Sequence, residues 1–154
     1  MKFLKSTEYQ TSCINRFDFY KIEVQKLLPK ARIEHIGASA IPNAVSKGDL
    51  DIFIGVTDLE NAVVSLKMLD FSEKQDTLRT DELCMLESFN EDVAFQVVTN
   101  DSKFESFLYF RDKLREDPKL VEEYNHLKRS CEGFNQDKYR KIKSEFIERI
   151  LRLS

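Results

Sequence analysis

The strongest constraint on the fold is the segment Asp49-Leu50-Asp51-Ile52-Phe53-Ile54-Gly55-Val56. Ile52, Phe53, Ile54 and Val56 are β-branched or aromatic and apolar, the composition of a buried strand. Two carboxylates open it at i and i+2. Side chains alternate along a strand, so Asp49 and Asp51 share one face, roughly 6–7 Å apart. Acids at the mouth of a core strand are costly unless they are paired or bound to a cation. Just upstream lies a small, flexible turn, Gly37-Ala38-Ser39. Gly37 lets backbone approach a phosphate closely, and the Ser39 hydroxyl can donate to one. Two aligned acids suit Mg²⁺ (or Mn²⁺), which binds through one or two carboxylates plus substrate phosphates. The alternative is a strand that simply begins with hydrated acids.

The bulk properties narrow the setting. A chain of 154 residues is expected to form one domain, 1–154, with its core sheet over about 30–100 and helices over about 102–153. Four Gly and three Pro leave little room for linkers. A net charge of −3 argues against a general nucleic-acid binder, so no extended nucleic acid is expected as a partner. Cys13, Cys84 and Cys131 are scattered, with no zinc spacing, and read as reduced thiols of a cytoplasmic protein. The first residues carry no apolar signal segment, and no apolar run is long enough to span a membrane.

Periodicity predicts the elements. Residues 11–28 read as a helix, with Ile14, Phe17, Tyr20 (or Ile22), Val24, Leu27 and Leu28 at helical spacing and Pro29 ending it. Residues 33–36 form a short strand running into Gly37, and 49–56 form the acid-opened strand. Asp58 is the expected N-cap of a helix to about residue 69. The runs 84–89 and 93–98 flank Asn90-Glu91-Asp92 and read as a hairpin. Residues 102–116, 118–131 and 136–153 read as helices, with Pro118 at a first helical position. The fold class is α/β (α+β): a small mixed sheet flanked by helices, with a helical C-terminal part.

Other residues carry two readings each. Lys47 neutralises phosphates or offsets the aspartates. Arg111 and Lys143 reach a ligand from the helical part, Arg111 in bidentate fashion, or form surface pairs such as Lys141 with Glu145. Tyr139 shares a helix face with Lys143 and either stacks on a base or fills the core. His35 touches a ligand or satisfies a carbonyl, and His126 is a solvated helix residue. Phe104, Phe107, Leu108 and Phe110 form a nucleic-acid platform or, as helical spacing more often means, pack a helix onto the sheet.

The segments His35-Ile36-Gly37-Ala38-Ser39-Ala40-Ile41-Pro42 and Lys47-Gly48-Asp49-Leu50-Asp51-Ile52 together resemble the GrpB family, placed in the nucleotidyltransferase superfamily. The family wording is His-Ile-Gly-Ser-Thr-Ala-Val-Pro-Gly-Leu; this chain has Ala38-Ser39 for Ser-Thr and Asn43 for the last Gly. Phe110-Arg111-Asp112-Lys113-Leu114-Arg115 with Pro118 and Tyr124, and Tyr139 with Lys143 and Phe146-Ile147, extend the resemblance over most of the chain. It implies a nucleotidyltransferase-like fold with Asp49 and Asp51 as metal ligands. It also implies a site-facing position on the strand 93–98, where metal-dependent members of the superfamily carry a third carboxylate and GrpB proteins often carry His. Here that position is Gln96, which offers a neutral oxygen but no general base.

The catalytic candidates are therefore Asp49, Asp51 and Gln96. The nucleotide-binding candidates are Gly37, Ala38, Ser39, Lys47, Arg111, Tyr139 and Lys143. The implied activity is metal-dependent transfer of a nucleotidyl group from a nucleoside triphosphate to a small-molecule or polar acceptor. The alternative is an inactive module that binds a nucleotide or another phosphorylated ligand, and a third reading is a purely structural protein.

Overall fold

A computed structural model of the chain describes residues 2–153. The first helix, α1 (Ser6–Leu27), begins earlier than periodicity indicated, because the Lys5 N–H donates to Glu8 Oε1 at 2.8 Å and closes the first turn. Its inward stripe is Tyr9, Cys13, Tyr20 and Val24. Ile14 and Ile22, expected on that stripe, are exposed because they lie on the adjoining side of the helix.

The strands are β1 (Arg32–Ile36), β2 (Leu50–Val56), β3 (Phe71–Glu73), β4 (Leu83–Ser88) and β5 (Val93–Thr99). They form one sheet in the order β1-β2-β5-β4-β3. The β2–β5 pair is parallel and the other pairs are antiparallel. Only three residues long, β3 shows no alternation, which is why periodicity missed it. Helix α2 (Leu59–Leu66) follows β2, with Asp58 accepting the Asn61 N–H at 3.1 Å as the expected cap. A 3-10 turn (Lys67–Leu69) ends that helical stretch. The chain closes with α3 (Ser106–Glu116), α4 (Pro118–Ser130) and α5 (Gln136–Leu151).

Alternation along the strands divides the sheet. Leu50, Ile52, Ile54 and Val56 of β2, with Cys84, Leu86, Phe95 and Val97, pack under α1 and α2 in the largest core cluster. On the opposite face Ile36, Phe53, Leu83 and Val98 pack with Phe104 at the approach to α3. A further cluster of Ile41, Ala44, Leu114, Val121, Tyr124, Phe146 and Ile150 joins α3, α4 and α5 to the segment between β1 and β2. Among the described residues, no helix is long and apolar enough to cross a membrane.

Candidate nucleotide and metal site

The acid-bearing face of β2 is the floor of the site. Asp51 lies opposite Ala94 of β5 and Phe53 opposite Gln96, so Asp51 and Gln96 are diagonal neighbours on one face. Gln96 Nε2 donates to Asp51 Oδ1 at 3.4 Å, while Gln96 Oε1 is buried with no hydrogen-bond partner. Asp49 stands just before the strand and accepts from Ser46 Oγ at 3.3 Å. Gly37 presses on Asp51 from the side. Its φ is +76°, and a Cβ there would lie 2.7 Å from Asp51 Oδ2. Glycine is therefore required on both backbone and steric grounds.

The turn that follows Gly37 is held by side chains from three helices. Gln10 of α1 donates to the Ile41 carbonyl at 2.8 Å and the Ala38 carbonyl at 3.4 Å. The Tyr9 hydroxyl donates to Ala44 O at 2.7 Å. From α3, Arg111 donates to His35 O at 3.0 Å and Arg115 to Ala40 O at 2.8 Å. From α4, Lys128 donates to Val45 O at 2.7 Å, and Asn125 pairs with Asn43 O and the Val45 N–H at 2.8 Å each. A loop whose carbonyls are satisfied in this way is preorganised rather than adaptable.

Between this turn, the sheet and helices α3–α5 lies a cleft of about 360 Å³, within the size range of small-ligand sites. Gly37, Ala38, Asp49, Asp51 and Gln96 line it together with Tyr139 and the cations Lys47, Lys74, Lys128, Arg140 and Lys143. The ammonium groups of Lys47 and Lys143 lie 5.7 and 5.9 Å from the centre of the Tyr139 ring. Lys128 is 2% exposed, and its ammonium sits 4.0 Å over the Tyr124 ring.

Burial and the neighbouring Asp49 push the Asp51 carboxyl up to about 6, while Lys143, Lys74 and the Gln96 amide pull the other way. Burial also holds the Lys128 ammonium well below its ordinary range, with Lys143 and Lys47 adding repulsion. Both shifts have the same leading cause, burial from water, which disfavours the charged form of each group. Among the described residues no group of three or more His, Cys, Asp or Glu side chains is placed to hold an ion. The available donors are two carboxylates and the orphaned Gln96 oxygen, an all-oxygen set suited to Mg²⁺ or Mn²⁺.

Two expected residues stand differently from the rest. Ser39 is buried and does not line the cleft. Its hydroxyl pairs at 2.7 Å with His35 Nε2, on the α1 side of the sheet, where His35 stacks on Phe17. Burial, with Arg115 and Arg111 nearby, pulls His35 down to about 4, so it is neutral at pH 7. Arg111 lines the cleft, but its guanidinium is bound to Glu34 and Asp112 at 2.9 Å each. Sequence reasoning overlooked Lys74, Lys128 and Arg140. Lys74 follows the unrecognised β3. Arg140 and Lys143 share the i,i+3 spacing of one helix face, and Lys128 stands four residues after Tyr124, signals that were present but unspecific.

The comparisons with known proteins agree with this architecture. The chain is 62% identical over 154 residues to a UPF0157 protein of Vibrio cholerae, covering 98% of this chain and 82% of that one. A UPF0157 protein of Deinococcus radiodurans is 30% identical over 139 residues, covering 88% and 74%. The crystal structure of the conserved protein GrpB from Enterococcus faecalis superposes with a TM-score of 0.82 at 21% identity, over 98% of this chain and 95% of that one. The Cid1 poly(U) polymerase, in a structure described as MgGTP bound, superposes with a TM-score of 0.55 at 12% identity. That match covers 80% of this chain but 42% of Cid1, so it shows a shared nucleotidyltransferase-like fold. The family model described as GrpB protein matches residues 5–153, which span the turn, both aspartates and all three C-terminal helices, and the chain belongs to the GrpB family.

Proposed function

We propose that the cleft binds a nucleoside triphosphate with Mg²⁺ or Mn²⁺ and transfers its nucleotidyl group to a small polar acceptor. The observation that carries this reading is the close approach of the Gly37 backbone to the Asp51 carboxylate in a cleft that several lysines also line. Asp49 and Asp51 would hold the cation, with Gln96 Oε1 as a neutral third oxygen. A bound divalent cation polarises the phosphoryl group and offsets its charge. Gly37 and Ala38 bring backbone close to the phosphates. Lys47 and Lys143, flanking Tyr139, stabilise charge on the departing pyrophosphate. The acceptor hydroxyl oxygen forms a bond to the α-phosphorus and gives its proton to solvent water, while the bond from that phosphorus to the bridging oxygen breaks and pyrophosphate leaves. Arg111, already bound to Glu34 and His35 O, contributes by holding the turn. That the Cid1 structure is described as MgGTP bound supports the reading.

A second reading, a module that binds the same ligand without chemistry, is favoured by one observation. The strand position that faces Asp51 carries Gln96, and an amide cannot take the acceptor proton. The two readings share a first test. Thermal melting with a panel of nucleoside triphosphates, with and without Mg²⁺ or Mn²⁺, should give a metal-dependent rise. At about 100 times the dissociation constant the ligand adds roughly 2.7 kcal/mol, or about 5–10 °C for a chain of this size. Asp49→Asn/Asp51→Asn should abolish the rise. Pyrophosphate release on adding candidate acceptors then separates transfer from binding alone. A metal-independent rise, or one that survives in the double variant, would sink both readings.

A further inference from the structure

The cleft is not uniform along its length. Helix α5 contributes Tyr139, Arg140, Lys143, Ile147 and Leu151 to its wall. Spacings of three or four residues keep them on one helix face. At 1.5 Å per residue, the step from Lys143 to Leu151 is about 12 Å. The half toward Tyr139 is cationic, and the half toward Leu151 is apolar. The apolar half is completed by Phe107 and Phe110 of α3. The Phe110 ring stands edge-on to Phe146, with centres 6.2 Å apart, which sets α3 against the second half of α5. The Tyr109 hydroxyl of α3 bonds the Leu153 carbonyl just beyond α5, so the start of α3 lies against the end of α5.

Hydrogen-bonding side chains are sparse in this half. Ser106 is the polar side chain that α3 adds to the lining there, and the Arg111 guanidinium is taken by Glu34, Asp112 and His35 O. Sites that discriminate strongly between related ligands do so with buried hydrogen-bonding groups left unpaired by the wrong one. Every nucleobase, by contrast, presents a flat π-face to an apolar or aromatic wall.

We infer that the apolar half of the cleft, formed by Phe107, Phe110, Ile147 and Leu151, is a nucleobase slot that holds purines and pyrimidines by shape without reading them. This rests on the nucleotide-binding reading above and adds specificity to it. The ligand is selected by its polyphosphate at the lysine and aspartate end, and its base is accepted whatever its identity.

The test is calorimetric titration of the full chain in Mg²⁺ with ATP, GTP, CTP, UTP and inorganic tripolyphosphate. The four nucleotides should bind within about threefold of one another, and tripolyphosphate at least tenfold more weakly. Ile147→Asp places a charge in the slot. It should bring the nucleotides down to the level of tripolyphosphate while leaving tripolyphosphate itself unchanged. Ile147 is only half-buried. Should Ile147→Asp nonetheless fail to fold, Leu151→Asn at the helix end tests the same wall. A single nucleotide preferred tenfold or more, or tripolyphosphate binding as tightly as ATP, would overturn the slot and leave the phosphate site standing. Loss of all five ligands in folded protein would overturn the nucleotide-binding reading and the slot with it.

Discussion

At the scale of single residues, Asp51 is where stability and the proposed chemistry compete. Its carboxyl is pushed up to about 6 by burial and by Asp49. A raised carboxyl favours the protonated form in the folded protein, so its burden is absent below the unfolded value near 4 and grows as pH rises through 6. Asp51→Asn should therefore stabilise the metal-free protein by about 1–3 kcal/mol at pH 7–8, with the difference vanishing near pH 4. Urea unfolding in chelator across that range reads it directly; equal stability at pH 8 would show that the carboxylate is well compensated without a cation. Gly37→Ala should act in the opposite sense. The new Cβ would stand 2.7 Å from Asp51 Oδ2 at a φ of +76°, and a loss of about 2–3 kcal/mol is expected in the same assay. The two aspartates and the glycine were legible in the sequence because a period of two and a turn residue carry the information locally. Ser39 was not, although its partner is local: alternation along β1 puts His35 on the face away from Asp51, and a His four residues before a Ser is too common a spacing to signal the pair.

At the scale of elements, the turn between β1 and β2 has little regular structure of its own beyond one 3-10 turn at Ala38–Ala40. Its conformation comes from Gln10, Tyr9, Arg111, Arg115, Asn125 and Lys128. Gln10→Ala removes the side-chain donor from two carbonyls, Ala38 and Ile41. It should cost about 1–2 kcal/mol. It should also accelerate hydrogen exchange at the Ala40, Ile41 and Ala44 amides, leaving β2 and β5 protected. Uniform acceleration across the sheet would mean that the side chain supports the core and not the turn. The elements themselves were largely readable: the hairpin 84–98, the Asp58 cap and Pro118 opening α4 all follow from local chemistry. The start of α1 and the short β3 were not, since one depends on a Glu8 back-bond and the other on pairing with a neighbour. With β3 went Lys74, which faces the cleft only because that strand places it there.

At the scale of the molecule, the sheet separates two tasks. Its α1–α2 face holds the largest core, and its other face, closed by α3–α5, holds the cleft. Ile150 is fully buried where α5 meets α3, α4 and the turn. Ile150→Ala should cost about 2–4 kcal/mol by leaving a cavity there. Because α5 also carries Tyr139 and Lys143, ligand affinity should fall with stability, which separates this variant from an α1 core change such as Val24→Ala. In the proposed function, Asp49 and Asp51 hold a divalent cation against a nucleotide. Its most direct test is the dissociation constant of a nucleoside triphosphate, measured in Mg²⁺ and again in chelator, for the unaltered chain and for Asp49→Asn/Asp51→Asn. Binding should need both the metal and the aspartates. Equal affinity in chelator, or in the double variant, would contradict it.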